Sequence, residues 1–317
     1  MSTATEIVSY PLELGALSQP LVFAFGVFEG VHLGHQRIIA ALQDLATQQQ
    51  ALPVLVFFHP SPKAVLRPEQ APKLIYPLAE KQRLLLQQGL RHLVCFPFDL
   101  QLAKLSPEEF LQKYFFVQGL RCAGFCVGED WRFGHRNVGD TALLGELAAA
   151  RGLPLRVVPP LKQGGAAISS TRVRAAIGQG DFGPAAALLG RPWTICGEVG
   201  RGLGVAGSKL ACPTANLQTE NLLLPPWGIY AARARLQASE EVLKGILYIG
   251  DAPTIRQNGP TELMVEMHLF DFEGQLYGKY MRVEPLKFLR QSIKFDSPEL
   301  LSAQMQKDLE EARAVLD

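Results

Sequence analysis

The sequence is short of net charge. Its 31 Lys and Arg stand against 30 Asp and Glu, a formal +1. No global field would therefore draw it to nucleic acid or to an anionic membrane surface, and any anion site must be local. It is also short of cysteine, with only Cys95, Cys122, Cys126, Cys196 and Cys212, an odd count without a CxxC pair. That pattern argues against a disulfide framework and a zinc site, and it predicts reduced thiols in the cytoplasm. No apolar run reaches the roughly 18 residues of a membrane span, and the opening MSTATEIVSYPLEL has no basic leader with an apolar core. There is no internal repeat and no low-complexity tract. What is present, 317 residues at 48% hydrophobic and 19% charged, suits a soluble protein with two cores.

From Leu21 to about Pro160, apolar β-rich runs (LVFAFGVF, PVLVFF, HLVCFPF, CAGFCVG, PLRVV) alternate with helical patterns. In the first helical pattern Ile38, Ile39, Leu42, Leu45 and Ala46 form one stripe, while the strands read as buried on both faces. The alternation predicts an α/β doubly wound parallel sheet, Rossmann-like. Helical stretches SSTRVRAAIGQ and DFGPAAALL close this half, and the turn signal GRPW at 190–193 marks a boundary near there, dividing the chain into 1–188 and 189–317. Beyond Trp193 the runs ICGEVG, GIYAARARL, GILYIG, ELMVEMHLFDF and YGKYMRVEPL predict a mostly antiparallel β-barrel. A C-terminal helix follows, capped by Asp296 or Ser297 with Pro298 in its first turn. Its apolar face of Leu301, Met305, Leu309, Ala312 and Leu316 is expected to pack on the barrel.

Two short stretches carry chemistry. FGVFEGVHLGHQ, residues 25–36, ends a strand and opens a helix, where unpaired N–H groups favour anions beyond the carboxyl ends of a parallel sheet. Gly30 and Gly34 permit close approach, and His32 and His35 can donate ring N–H groups to phosphate oxygens. A plain strand-to-helix turn, with one capping and one surface histidine, is the alternative. ISSTRVR, 168–174, offers the hydroxyls of Ser169, Ser170 and Thr171 and the guanidinium fork of Arg172 at a second helix start.

HLGH and ISSTR resemble the two signatures of the nucleotidyltransferase superfamily. The later stretches GRGLGVAGSK, PTAN, GIYA, VEMHLFDF and LYGK look like riboflavin kinase, and VGEDWRFG looks like the adenylyltransferase fused to it. Together they resemble the bifunctional riboflavin kinase and FAD synthetase family of prokaryotic type. The resemblance implies phosphorylation of riboflavin to FMN and adenylylation of FMN to FAD, with ATP, riboflavin and FMN as small-molecule partners and Mg²⁺ accompanying ATP. It implies nucleotide contacts at Gly26, Phe28, Gly34, Ser169, Ser170, Thr171, Gly202, Gly207, Thr214 and Asn216. Thr214 and Asn216 would also be metal ligands, neutral oxygens suited to a Mg²⁺ shell completed by phosphate and water. Glu266 would be the general base, His32, His35 and Arg172 would act in adenylyl transfer, and Asp130 and Phe133 would contact flavin. Read without the resemblance, PTAN could be a turn, Glu266 a solvated charge, and Trp131 or Phe133 core.

The sequence departs from the usual motifs of the family at Val27, Glu29, Phe57, Ser61, Ser208 and Tyr248. A descendant with one activity, or a flavin-binding protein without turnover, is the alternative that these departures raise. Nothing in the sequence specifies an oligomeric state.

Overall fold

Strands that are apolar on both faces can only be satisfied by cover on both sides, and the first half of the chain is built that way. The computed structural model describes residues 7–9, 18–200, 214–219, 221–237, 239, 241–251, 263–293, 295 and 297–317. It divides into two compact units, one of Met1–Lys73 and Leu78–Ser170, the other of Leu74–Pro77 and Thr171–Asp317. By contact, the segment 171–188 thus groups with the second unit.

The first unit runs β1 (Ile7–Ser9), β2 (Leu21–Gly26), α1 (Leu33–Gln48), β3 (Leu52–Phe58), α2 (Pro62–Leu66), α3 (Leu78–Leu86), β4 (His92–Phe96), α4 (Pro107–Tyr114), β5 (Cys122–Gly128), α5 (Thr141–Ala149) and β6 (Leu155–Val158). A small hairpin, β7 (Lys162–Gln163) and β8 (Ala166–Ala167), follows. The sheet order is β1-β4-β3-β2-β5-β6, every pair parallel. This is the expected doubly wound sheet, with β1 as an added edge strand too short to leave a periodic signal. The order reverses direction between β2 and β5, so the end of β2 is the topological switch point. Helix α1 is seated by Ile39, Leu42, Leu45 and Ala46, all buried. Beneath the sheet an aromatic core gathers Phe23, Phe25, Phe110, Phe115 and Phe125, each worth about 2 kcal/mol of burial. Helix α4 starts sharply because Ser106 and Glu109 form a reciprocal capping box, with Pro107 in the first turn.

The main body of the second unit starts at Thr171, within α6 (Ser170–Gln179), and continues through α7 (Phe182–Leu189). Strands β9 (Ile195–Gly200), β10 (Thr214–Leu217), β11 (Gly228–Leu236), β12 (Leu243–Asp251), β13 (Leu263–Leu269) and β14 (Tyr280–Arg290) close an antiparallel barrel in the order β10-β13-β12-β11-β14-β9. Alternation sorts the faces: Val265, Met267 and Leu269 fill the interior, so Met264, Glu266 and His268 lie on the outer face. Part of that outer face is covered by α8 (Pro298–Leu316), whose Ala312 and Leu316 join Ile229, Ala231, Ile246 and Phe270 in a buried cluster. Ser297, not Asp296, caps the helix by accepting from the Leu300 N–H at 3.4 Å. The expected stripe is buried only towards its end, for Leu301 stays 39% exposed. Arg290 fastens the helix with two bonds to Asp308, at 2.8 and 2.6 Å.

The strip Leu74–Pro77 groups with this second unit. Its Leu74 exchanges backbone bonds with Asn221 and Leu223, Trp193 donates its indole N–H to the Ile75 carbonyl at 3.3 Å, and Arg191 lies over the Tyr76 ring.

Candidate active sites

At the switch point, β2 ends at Gly26 and the chain makes a tight buried turn before α1. Phe28, Gly30 and Val31 all have left-handed backbones, at φ 51°, 79° and 46°. For a β-branched residue such as Val31 that conformation is strained, at a cost of about 1–3 kcal/mol, so the surroundings must hold it. Gly26 lets the Phe28 ring fold back, since a Cβ there would sit 2.7 Å from that ring. Gly34 does the same for His32, whose ring would lie 3.2 Å from a Cβ.

His32 is the N-cap of α1: its Nδ1 accepts from the His35 N–H at 3.3 Å. The capping alternative is therefore part of the answer, but it does not remove the chemistry. An Nδ1 that accepts leaves Nε2 as the protonated, donating nitrogen in the neutral ring. His35 is not a surface residue; its ring stacks on that of His32 at 3.6 Å and 15°, with Phe28 tilted against it at 5.1 Å. Two parallel imidazoles thus stand at a helix N-terminus, an arrangement suited to phosphate oxygens.

The second motif reaches this turn through Ser170, whose Oγ donates to the Glu29 carbonyl at 2.8 Å. That hydroxyl, expected on a nucleotide, is committed to the backbone. Ser169 is half-buried just before α6, while Thr171, exposed, and Arg172, half-buried, follow in its first turn.

Beside the turn lies a cleft of about 950 Å³. Val27, Phe58, Phe98, Phe110, Trp131 and Phe133 form apolar walls, and Lys63, Arg67, Lys104, Arg132 and Arg136 make a basic rim without a carboxylate among the described lining residues. Trp131 stacks on Phe25, Phe58 and Phe133 at 5.8, 6.2 and 6.4 Å. Phe133 is core and cleft wall together. Asp130 is not part of that lining: it is exposed, and its carboxylate turns over Gly128 at the end of β5.

Under the turn sits Lys81 of α3, only 3% exposed. Its ammonium donates to the Val27 carbonyl at 3.4 Å and lies 4.6 Å above the Phe57 ring. Burial pushes its pKa down, while the charge of Glu29 and the Cys95 thiol push the other way. Three departures from the family's usual motifs, Val27, Glu29 and Phe57, thus surround one buried cation.

The barrel organises its groups by register. Asn216, Glu266 and Tyr248 are direct cross-strand partners on β10, β13 and β12, so they form a row on the outer face. Thr214 and His268 pair one step along the same face. The alternative of a turn at PTAN does not hold, because Thr214–Leu217 is a strand bonded to β13 and β9. Nor is Glu266 an ordinary solvated charge. Burial raises its pKa, opposed in part by a hydrogen bond from Asn216. The Tyr248 hydroxyl donates to the Asp251 carbonyl at 2.6 Å. The glycine-rich stretch with Gly202 and Gly207, together with Ser208 and Cys212, lies outside the described residues.

Comparison with known proteins matches the FAD synthetase family to residues 16–172 and the riboflavin kinase family to residues 189–316. The chain is 34% identical to the bifunctional riboflavin kinase/FMN adenylyltransferase of Bacillus subtilis, over 92% of this chain and 91% of that protein. It belongs to that family. The protein of the same description from Escherichia coli K12 is 33% identical over 90% of each chain. A crystal structure described as a macrolide-efflux protein from Streptococcus pneumoniae shares the fold, with a TM-score of 0.79, 28% identity and coverage of 97% of this chain and 99% of that one. Efflux is said of that protein; among the described residues here no helix is long and apolar enough to cross a membrane.

Sequence reasoning missed Lys81 and most of the cleft. Lys81 did leave a trace: it stands with Leu84 and Leu85 at i, i+3 and i+4, a cation on the buried face of α3. Phe58, Phe98 and Phe110 come from three separate segments and left none.

Proposed function

We propose that the barrel part of the chain, 189–317, phosphorylates riboflavin to FMN and that the part before it, 1–188, transfers AMP from ATP to FMN, giving FAD and pyrophosphate. The reading rests on finding in one chain both stacked imidazoles at a switch-point helix and a half-buried carboxylate held by Asn216 on a barrel face. The family membership supports it. We assign the two activities to 1–188 and 189–317 and the protein to the cytoplasm, in keeping with its odd cysteine count.

In the kinase reaction Glu266 takes the proton of the riboflavin 5′-hydroxyl as that oxygen bonds to the γ-phosphorus and the bond to ADP breaks. Its raised pKa makes it a stronger base than a solvated glutamate. Thr214 and Asn216 present neutral oxygens on the same face, a donor set that fits Mg²⁺ shared with phosphate. Bound there, the ion would neutralise triphosphate charge. Asn216 has a second task, since its amide N–H orients the carboxylate. Gly202 and Gly207 complete the assigned nucleotide contacts.

In the adenylyl reaction the FMN phosphate is already ionised, so no base is needed. The flavin ring lies in the aromatic cleft against Trp131 and Phe133, with the basic rim meeting the phosphate of FMN. Its phosphate oxygen bonds to the α-phosphorus of ATP while pyrophosphate leaves. His32, His35 and Arg172 donate to the oxygens on which charge grows, and Gly26, Phe28, Gly34, Ser169 and Thr171 shape the phosphate pocket. Ser170 acts through the Glu29 carbonyl, and Asp130 is assigned to the switch-point mouth rather than to the ring pocket.

The test is product analysis: pure protein with riboflavin, ATP and Mg²⁺, flavins separated by chromatography. FMN and FAD together are expected; FMN alone, or neither, overturns the bifunctional reading.

A further inference from the structure

The turn that carries His32 and His35 has three residues in left-handed conformation, Phe28, Gly30 and Val31, and is held from outside in a regular way. Alternate carbonyls each accept a side-chain donor from a different helix. Lys81 of α3 donates to Val27 O at 3.4 Å, Ser170 at the start of α6 to Glu29 O at 2.8 Å, and Gln36 of α1 to Val31 O at 3.0 Å. A carbonyl turned inward without a donor would be left unsatisfied, and the turn would relax to another conformation. Lys81 differs from the other two donors. It is 3% exposed, adjoins the Glu29 carboxylate, itself 5% exposed, and carries a charge that a core otherwise excludes. A buried cation needs an opposite charge and hydrogen-bond acceptors nearby, and here those lie on the turn itself. Its hydrogen bond to the site is the one to the Val27 carbonyl.

We propose that Lys81 is a positioning residue for adenylyl transfer: its ammonium, seated on the Val27 carbonyl beside the Glu29 side chain, fixes the 27–31 turn in the conformation that presents the two stacked imidazoles to phosphate. Lys81 touches no substrate. It acts through the turn, and the Ser170 and Gln36 bonds complete a three-point clamp. This inference rests on the reading that His32 and His35 serve adenylyl transfer.

The experiment uses the full chain as Lys81→Met, His32→Ala and the double variant, following FAD formation from supplied FMN and, in the same preparations, FMN formation from riboflavin. Methionine keeps the apolar stem and removes the charge. Misplacing the rings by about 1 Å is expected to lower adenylylation roughly 100-fold in Lys81→Met, with kinase turnover unchanged. In the His32→Ala background the same substitution should add about threefold or less, because both changes act on one device. Should Lys81→Met lose kinase activity as well through misfolding, Gln36→Ala tests the clamp at Val31 by the same cycle and should also couple to His32→Ala. Wild-type adenylylation in Lys81→Met, or losses that multiply in the double variant, would overturn the proposal. Equal FAD formation by His32→Ala and wild type would instead overturn the underlying reading, so the two failures are distinguishable.

Discussion

The two units place their chemistry by opposite rules. In the parallel sheet both strand faces are buried, so reactive groups can stand only beyond the strand ends, and the chain concentrates its two imidazoles in one turn of contiguous residues, 26–36. In the barrel the strands keep an outer face, and the groups meet there by register: Asn216, Glu266 and Tyr248 come from three strands. A turn is fixed by backbone conformation and the donors that hold it. A row across strands is fixed by alternation and pairing, and a one-residue slip would turn Glu266 into the core. The first device is vulnerable at its supports, the second at its register.

The sharpest way to break this comparison is at the single group the barrel depends on. Glu266→Gln keeps shape and pairing but cannot accept the proton, and FMN formation should fall about 10³-fold while adenylylation of supplied FMN is unchanged. Equal loss of both products would show that the sites are not separate. On the other side, His32→Ala removes one donor to developing charge together with the cap of α1, and FAD formation should fall about 10²–10³-fold with kinase turnover intact.

Structural supports should give smaller effects. Asp308→Ala deprives Arg290 of its two bonds to the helix, leaving the one to the Gln291 carbonyl, at a joint where the arginine side chain keeps 21% exposure, and should cost the barrel about 2–3 kcal/mol. Denaturant unfolding followed in the two units separately checks it; a loss confined to the first unit would refute the assignment of α8 to the barrel. Trp131→Ala removes a stacking wall of the cleft and should raise the KM for FMN in adenylylation roughly tenfold, about 1.4 kcal/mol, without affecting riboflavin phosphorylation.

The smallest effect is a displacement along the pH axis. In the proposed kinase step Glu266 must be ionised to accept the proton, and burial raises its pKa. Kinase turnover should therefore rise with pH through a midpoint above the ordinary glutamate value. The Asn216 bond opposes that shift, so Asn216→Ala should move the midpoint further to alkaline pH as well as weakening the site. An acid limb that moves the other way would contradict the pairing.

How much was readable from the sequence follows the same division. HLGH is legible because its residues adjoin in the chain, and continuous apolar runs such as LVFAFG announce a two-sided strand. What was not legible depends on distant partners. Thr214–Leu217 is flanked by β9 and β13, and with only four residues, of which Ala215 and Asn216 disfavour strands, it carries little strand signal of its own. Tyr248 stands out in the sequence as a departure from the family's motif, but that it lies opposite Glu266 shows only once the strands are paired. The carbonyl-holding role of Ser170 was hidden by a motif that suggested a ligand for it. Lys81 was overlooked because a lysine in a helix is normally solvated, and only tertiary burial turns it into a support.

The strip Leu74–Pro77 carries a practical lesson for dissecting the protein. Ile75 and Tyr76, 1% and 2% exposed, owe their cover to a unit whose main body begins almost a hundred residues later. A single scission at 188/189 would strip these two side chains in the upstream fragment and deprive the downstream one of the partners of Asn221, Leu223 and Trp193. Fragments made that way should stick to each other or precipitate, and recombining them in one tube is the sounder way to recover either.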